Sequence, residues 1–132
     1  MSDTTRKASI VLIDDEPFML SAMSSLLGSA GYQVRTCTEW AGVAATVREA
    51  EPDLVLLDYN MPAIKGDKLC EIMKRNMTHT DMRIFIFSSE PESDLVRIVS
   101  QCGADGYVRK SLPAAQLLVE IGSIMGNASV AC

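Results

Sequence analysis

The stretch Asp53-Leu54-Val55-Leu56-Leu57-Asp58-Tyr59-Asn60-Met61-Pro62 constrains the fold more than any other part of the chain. Four consecutive large aliphatics have no polar side. A strand built from them must be covered on both faces, which is the situation of a central strand in a parallel sheet. The run then ends in a carboxylate, and Asn60 and Pro62 break the chain just beyond. Asp58 is therefore expected at the carboxyl end of a buried strand, where open α/β sheets hold their ligands, although an Asp at such a place can equally begin a turn.

The same design recurs along the chain. Ser9-Ile10-Val11-Leu12-Ile13 is a second continuous aliphatic run, ended by Asp14-Asp15-Glu16 and Pro17. Pro17 suits the first turn of a helix, and one or two acids there suit its dipole, but three in a row exceed that need. The helix carries Leu20, Met23, Leu27 and Ala30 at helical spacing, with Gly31 as its terminator. Tyr32–Cys37 alternates, as a more exposed edge strand does. Thr38 is expected to cap a helix over Glu39–Glu51 that offers Trp40, Val43, Ala44 and Val47 to the sheet and is closed by Pro52.

Beyond Pro62, Gly66 is expected to give the loop backbone freedom before a helix over Asp67–Asn76, with Leu69, Ile72 and Met73 facing inward. Met82–Phe87 reads as a fourth strand that ends in Ser88-Ser89. Pro91 and Ser93 open a helix whose apolar stripe is Leu95, Val96, Ile98, Val99 and Cys102, stopped by Gly103. Ala104–Arg109 reads as a fifth strand delivering Lys110 to its end. Pro113 then starts a last helix that buries Leu117, Leu118, Ile121, Ile124 and Met125.

With 132 residues, 48% of them hydrophobic, the chain fits one domain, framed by a flexible leader over 1–8 and a flexible tail over 127–132. The net charge of −5, with its twelve Lys and Arg scattered, argues against a nucleic-acid-binding surface. No apolar stretch approaches the ~18 residues of a membrane span, and the opening residues lack a signal-peptide core, so a cytoplasmic protein without membrane insertion is expected. Cys37, Cys70, Cys102 and Cys132 lie far apart with only His79 to help them, a pattern of reduced thiols and not of a zinc site or disulfide framework. His79 itself is expected in a loop.

Five strand-helix units imply a doubly wound parallel sheet with helices on both faces. Its strand ends gather Asp14, Asp15, Asp58, Ser88 and Lys110 at one edge. Three carboxylates held close repel one another unless a divalent cation joins them, and oxygen ligands favour Mg2+, or Mn2+, over zinc. A lysine and a hydroxyl beside that cation are what a transferring phosphoryl group requires.

These residues resemble the receiver domains of two-component response regulators, whose chemotaxis member has this fold. Asp14-Asp15, Asp58 followed by Met61-Pro62, Ser88, Tyr107 and Lys110 match that family's pattern in order and spacing across nearly the whole chain. The resemblance implies a flavodoxin-like strand order 2-1-3-4-5 and a phosphorylation-dependent switch, not an enzyme acting on other molecules. It implies that Asp58 accepts phosphate from a histidine kinase or phosphotransfer protein, and that Asp15, Asp58 and the Asn60 carbonyl bind the metal directly, with Asp14 nearby through water. Ser88 and Lys110 would hold the phosphoryl group, Tyr107 would report it to the surface of the fourth helix, fifth strand and fifth helix, and small Ser89 leaves room beside it. Asn60 and Glu90 would flank the path of the hydrolytic water and hydrogen-bond it, so hydrolysis is expected to be comparatively fast.

One departure stands out. The family usually follows its lysine with a cis proline, whereas Ser111 follows Lys110, so a trans bond is expected there. Among rival functions, a haloacid-dehalogenase-type phosphatase needs a second acid where this chain has Asn60, as well as a cap domain. A flavin-binding member would want a Ser/Thr/Gly-rich loop in place of the first-strand acids. The stronger rival is a phosphorylation-independent interaction module of the same fold, yet no acid, hydroxyl or lysine has been lost. No output domain is visible, so signalling through an unnamed downstream protein is expected.

Overall fold

A computed structural model describes residues 8–61, 64–76 and 82–125. The expectations for Pro62, His79, Cys132, residues 1–7 and the tail lie outside the described residues. Ala8, assigned to the leader, is engaged: its carbonyl accepts the Gln33 N–H at 2.9 Å.

The strands β1 (Ser9–Ile13), β2 (Gln33–Cys37), β3 (Leu54–Asp58), β4 (Arg83–Ser88) and β5 (Gly106–Arg109) form one sheet in the order β2-β1-β3-β4-β5, every pair parallel. The helices α1 (Pro17–Ser29), α2 (Val43–Ala50), α3 (Gly66–Asn76), α4 (Glu92–Cys102) and α5 (Ala114–Ile124) make the crossovers. This is the flavodoxin-like order. Every residue of β1 and β3 is buried, which is why neither run contains a polar side, while β2 at the edge leaves Gln33, Arg35 and Thr36 exposed.

The pleat divides the aliphatics between two cores. Val11, Ile13, Val55, Leu57, Ile84 and Ile86 face α2, α3 and α4 through Val47, Leu69, Met73, Leu95 and Ile98. Ile10, Leu12, Leu54, Leu56 and Phe87 face α1 and α5 through Leu20, Leu27, Leu117 and Ile121. Each fully buried aliphatic removed from water contributes roughly 1.5–3 kcal/mol, so the two layers hold the strand ends in fixed register.

The second helix departs from expectation. Thr38 caps nothing; Trp40–Gly42 is a short 3-10 turn entered from Glu39 without a side-chain cap, and the α-helix starts only at Val43. The tighter turn takes Trp40 off the inward stripe and leaves it 44% exposed, with Ala44 also outward, while Val43 and Val47 alone are buried. In α3 the inward positions are Leu69, Cys70 and Met73, with Ile72 only half-buried. In α4 Val96 lies exposed, because the buried stripe runs Leu95, Ile98 and Cys102. Gly103 ends that helix at φ +83, its N–H donating to the Val99 carbonyl.

Candidate functional site

The ends of β1, β3, β4 and β5 deliver the side chains of one pocket. Asp14 prolongs β1, its N–H donating to the Cys37 carbonyl at 3.1 Å, and its Oδ1 accepts the Glu16 N–H at 3.0 Å, which turns the chain into α1. Asp58 is the last residue of β3, and its Oδ1 accepts the Asn60 N–H at 3.4 Å. The Lys110 N–H donates to the Ser88 carbonyl at 2.9 Å, so the β4–β5 ladder aims the lysine stem along the sheet edge. Its ammonium stands 2.9 Å from Asp58 Oδ1, 2.9 Å from Asp14 Oδ2 and 5.4 Å from the centre of the Phe87 ring. No cis peptide occurs among the described residues, so the Lys110–Ser111 bond is trans.

This charge cluster is shielded from water. Asp14 is 2%, Asp58 4% and Ser88 1% exposed. Burial pushes the Asp58 carboxyl above its ordinary value; Lys110 opposes the shift and the charge of Asp14 adds to it. Burial pulls Lys110 down, but the two carboxylates outweigh it and the ammonium is held above its usual range. One lysine cannot neutralise both acids. Its ammonium lies 2.9 Å from Asp14 Oδ2, a buried oxygen for which no further donor is found among the described residues. Asp14, Asp15 and Asp58 offer carboxylate oxygens all within 4.8 Å of one another, a donor set that suits a hard divalent cation.

Around the mouth, Ser88 Oγ accepts the Glu90 N–H at 3.0 Å, so its own proton remains available to donate. Asn60 Nδ2 donates to Glu90 Oε2 at 3.2 Å, and Lys65 Nζ donates to Asn60 Oδ1 at 3.4 Å. Ser89 is exposed beside them. Tyr107, half-buried on β5, donates its hydroxyl to the Glu92 carboxylate, which raises the phenol's pKa.

Comparison with known proteins gives the family of the chain. A family model described as the response regulator receiver domain matches residues 10–122. The chain belongs to that family. The transcriptional regulatory protein GltR of Pseudomonas aeruginosa is 31% identical over 121 residues, covering 91% of this chain and 50% of that protein. The DNA-binding response regulator MtrA of Mycolicibacterium smegmatis is 28% identical over 121 residues, covering 90% and 50%. This receiver domain thus spans about half the length of the curated relatives it matches. Among solved structures, chemotaxis protein CheY4 of Vibrio cholerae superposes with a TM-score of 0.82 at 22% identity, covering 90% of this chain and 99% of that one, which shows the fold.

Two residues beside the pocket, Lys65 and Glu92, carried no readable signal in the sequence, and a third, Gly66, was read for the wrong reason. Gly66 was expected to supply backbone freedom, but its importance is the Cβ it lacks: one would lie 2.5 Å from the Asp58 carbonyl oxygen and 2.7 Å from Tyr59 Cα. Lys65 reaches back to the strand end only because of that close approach. Glu92 meets Tyr107 across 15 positions of chain. A glycine immediately before a helix was the one available hint, and it did not say which neighbour needed the room.

Proposed function

We propose that this receiver domain is a phosphorylation-dependent switch that accepts a phosphoryl group on Asp58 from a phosphohistidine of a kinase or phosphotransfer protein, with Mg2+ bound, and changes its face around Tyr107 to control a partner protein. The observation that carries this reading is the burial of Asp58 beside Asp14 and Asp15 with the Lys110 ammonium 2.9 Å away. Asp15, Asp58 and the Asn60 carbonyl would hold the cation, with Asp14 behind them. When bound, Mg2+ neutralises the crowded carboxylates and the charge on the transferring group.

The remaining steps belong to the chain. An Asp58 carboxylate oxygen attacks phosphorus in line with the donor nitrogen; the P–N bond breaks and its electron pair returns to the imidazole. Lys110 moves its ion pair from Asp58 to a phosphoryl oxygen, and Ser88 donates its free proton to another. That displacement of Ser88 opens space beside Tyr107, which can then leave Glu92 and turn inward. No helix among the described residues is long and apolar enough to cross a membrane.

Incubation with acetyl phosphate and Mg2+ should add one phosphoryl group by intact-mass measurement, and Asp58→Asn should take none. Equal labelling of that variant would remove Asp58 from its role.

A further inference from the structure

The loop between β3 and α3 carries a cation that the steps above leave unused. Gly66 lies against the backbone of Asp58 and Tyr59, and its N–H donates to the Tyr59 carbonyl at 2.8 Å. Lys65 is thereby returned to the strand end the chain has just left, its Nζ 5.3 Å above the centre of the Tyr59 ring and 3.4 Å from Asn60 Oδ1. On the opposite side Asn60 Nδ2 meets Glu90 Oε2 at 3.2 Å. The Asn60 amide therefore has its carbonyl toward a cation and its NH2 toward a carboxylate. Turned over, it would set protons against the ammonium and lone pairs against the carboxylate, so the two charges hold one orientation.

We infer that Lys65 is a positioning residue that prolongs the phosphorylated state by tying the Asn60 carboxamide to Glu90, out of reach of the hydrolytic water. The inference rests on Asp58 being the phosphoacceptor. In hydrolysis a water oxygen bonds to phosphorus in line with the Asp58 oxygen. The P–O bond to the carboxyl breaks, its electron pair returns to the carboxylate, and a water proton leaves with the inorganic phosphate. A free amide carbonyl two residues beyond Asp58 could accept a hydrogen bond from that water and aim it. With Oδ1 held by Lys65 and Nδ2 by Glu90, the carboxamide is fixed in one orientation and must give up one of these bonds before its carbonyl can turn to that water. Because Lys65 is exposed and its hold is one long hydrogen bond plus the attraction of the Tyr59 ring, the effect is modest.

The test is the rate at which protein labelled by acetyl phosphate in Mg2+ loses its phosphoryl group, for the parent, Lys65→Met, Lys65→Arg, Asn60→Ala and Lys65→Met combined with Asn60→Ala. Lys65→Met should shorten the lifetime roughly two- to tenfold, the range that one modest hydrogen bond to the attacking water supplies. Lys65→Arg, which keeps charge and donors, should stay near the parent. In the Asn60→Ala background, Lys65→Met should change nothing further. An unchanged or longer lifetime in Lys65→Met, an Arg variant as short-lived as the Met one, or the same shortening in both backgrounds would overturn the inference; the last would mean that the cation acts on the phosphoryl group directly. A parent that takes no label removes the phosphoacceptor reading itself, and this inference with it, before any lifetime is measured.

Discussion

Both ends of the parallel sheet carry aspartates, and the two ends treat them in opposite ways. At the amino edge, Asp53 Oδ2 accepts the Ser9 N–H at 2.9 Å, and Asp105 Oδ2 accepts both the Ile84 N–H and the Lys74 ammonium at 2.8 Å. These acids tie one strand to the next. At the carboxyl edge, Asp14, Asp15 and Asp58 crowd one another, and a single lysine stands 2.9 Å from two of them, too little positive charge for three acids. The residue type is the same; the partners differ. An acid whose charge and lone pairs are met is a staple, whereas acids that outnumber their cations leave negative charge that a divalent ion could meet.

Removing the lysine is the strongest way to break this contrast. Lys110, with 12% of its side chain exposed, is the nearest cation to two buried carboxylates. Lys110→Met should therefore cost about 3 kcal/mol in urea unfolding with chelator present, and slow acetyl phosphate labelling about a hundredfold. Added Mg2+ should recover much of the stability and little of the rate. A variant as stable as the parent in chelator would show that the carboxyl edge is not under charge strain.

Acid at the other end should behave as an ordinary structural group. Asp105→Ala leaves the buried Ile84 N–H without its side-chain acceptor and releases Lys74, so a loss of about 1–2 kcal/mol is expected. Labelling of Asp58 should be unaffected. A fall in labelling rate at full occupancy of the folded state would mean that the two edges are coupled.

The pH dependence sharpens the comparison further. Because burial holds the Asp58 carboxyl above its ordinary 3.8, the folded protein retains a proton that the unfolded chain has already lost, and stability falls as pH rises through and beyond that value. Asp58→Asn has no such proton to lose. In chelator the variant should gain on the parent as pH climbs out of the acid range, and parallel pH profiles would contradict the direction of that shift. The smallest expected effect is the subtlest: Ser88→Ala should still accept phosphate, yet show a muted NMR response around Tyr107 and α5 when beryllofluoride is bound. A full response would leave Ser88 a binding group only.

The fold was legible because its strongest signals are local. Leu54–Leu57 and Ile10–Ile13 have no polar side, and the acids that end them are the pocket. Strand-end residues follow from counting along the chain. What the sequence did not disclose depends on packing between loops. Trp40 moved outward because a 3-10 turn replaced the first turn of α2, and no residue pattern distinguishes those two starts. Lys65, Gly66 and Glu92 matter through neighbours that only the folded chain supplies. The roles of Asp58, Ser88 and Tyr107 rest on chemistry and family likeness, and the labelling and NMR measurements are their proof.

The complete burial of β1 and β3 has a consequence in time as well as in space. Backbone amides in strands covered on both faces and paired on both edges exchange with solvent only when the whole domain opens, whereas β2, with one free edge, can open by itself. The strands that carry Asp14 and Asp58 therefore share the lifetime of the native state. A rearrangement in microseconds to milliseconds is open to the edge strand β5 and to the loops at the strand ends, while the acid-bearing strands stay still.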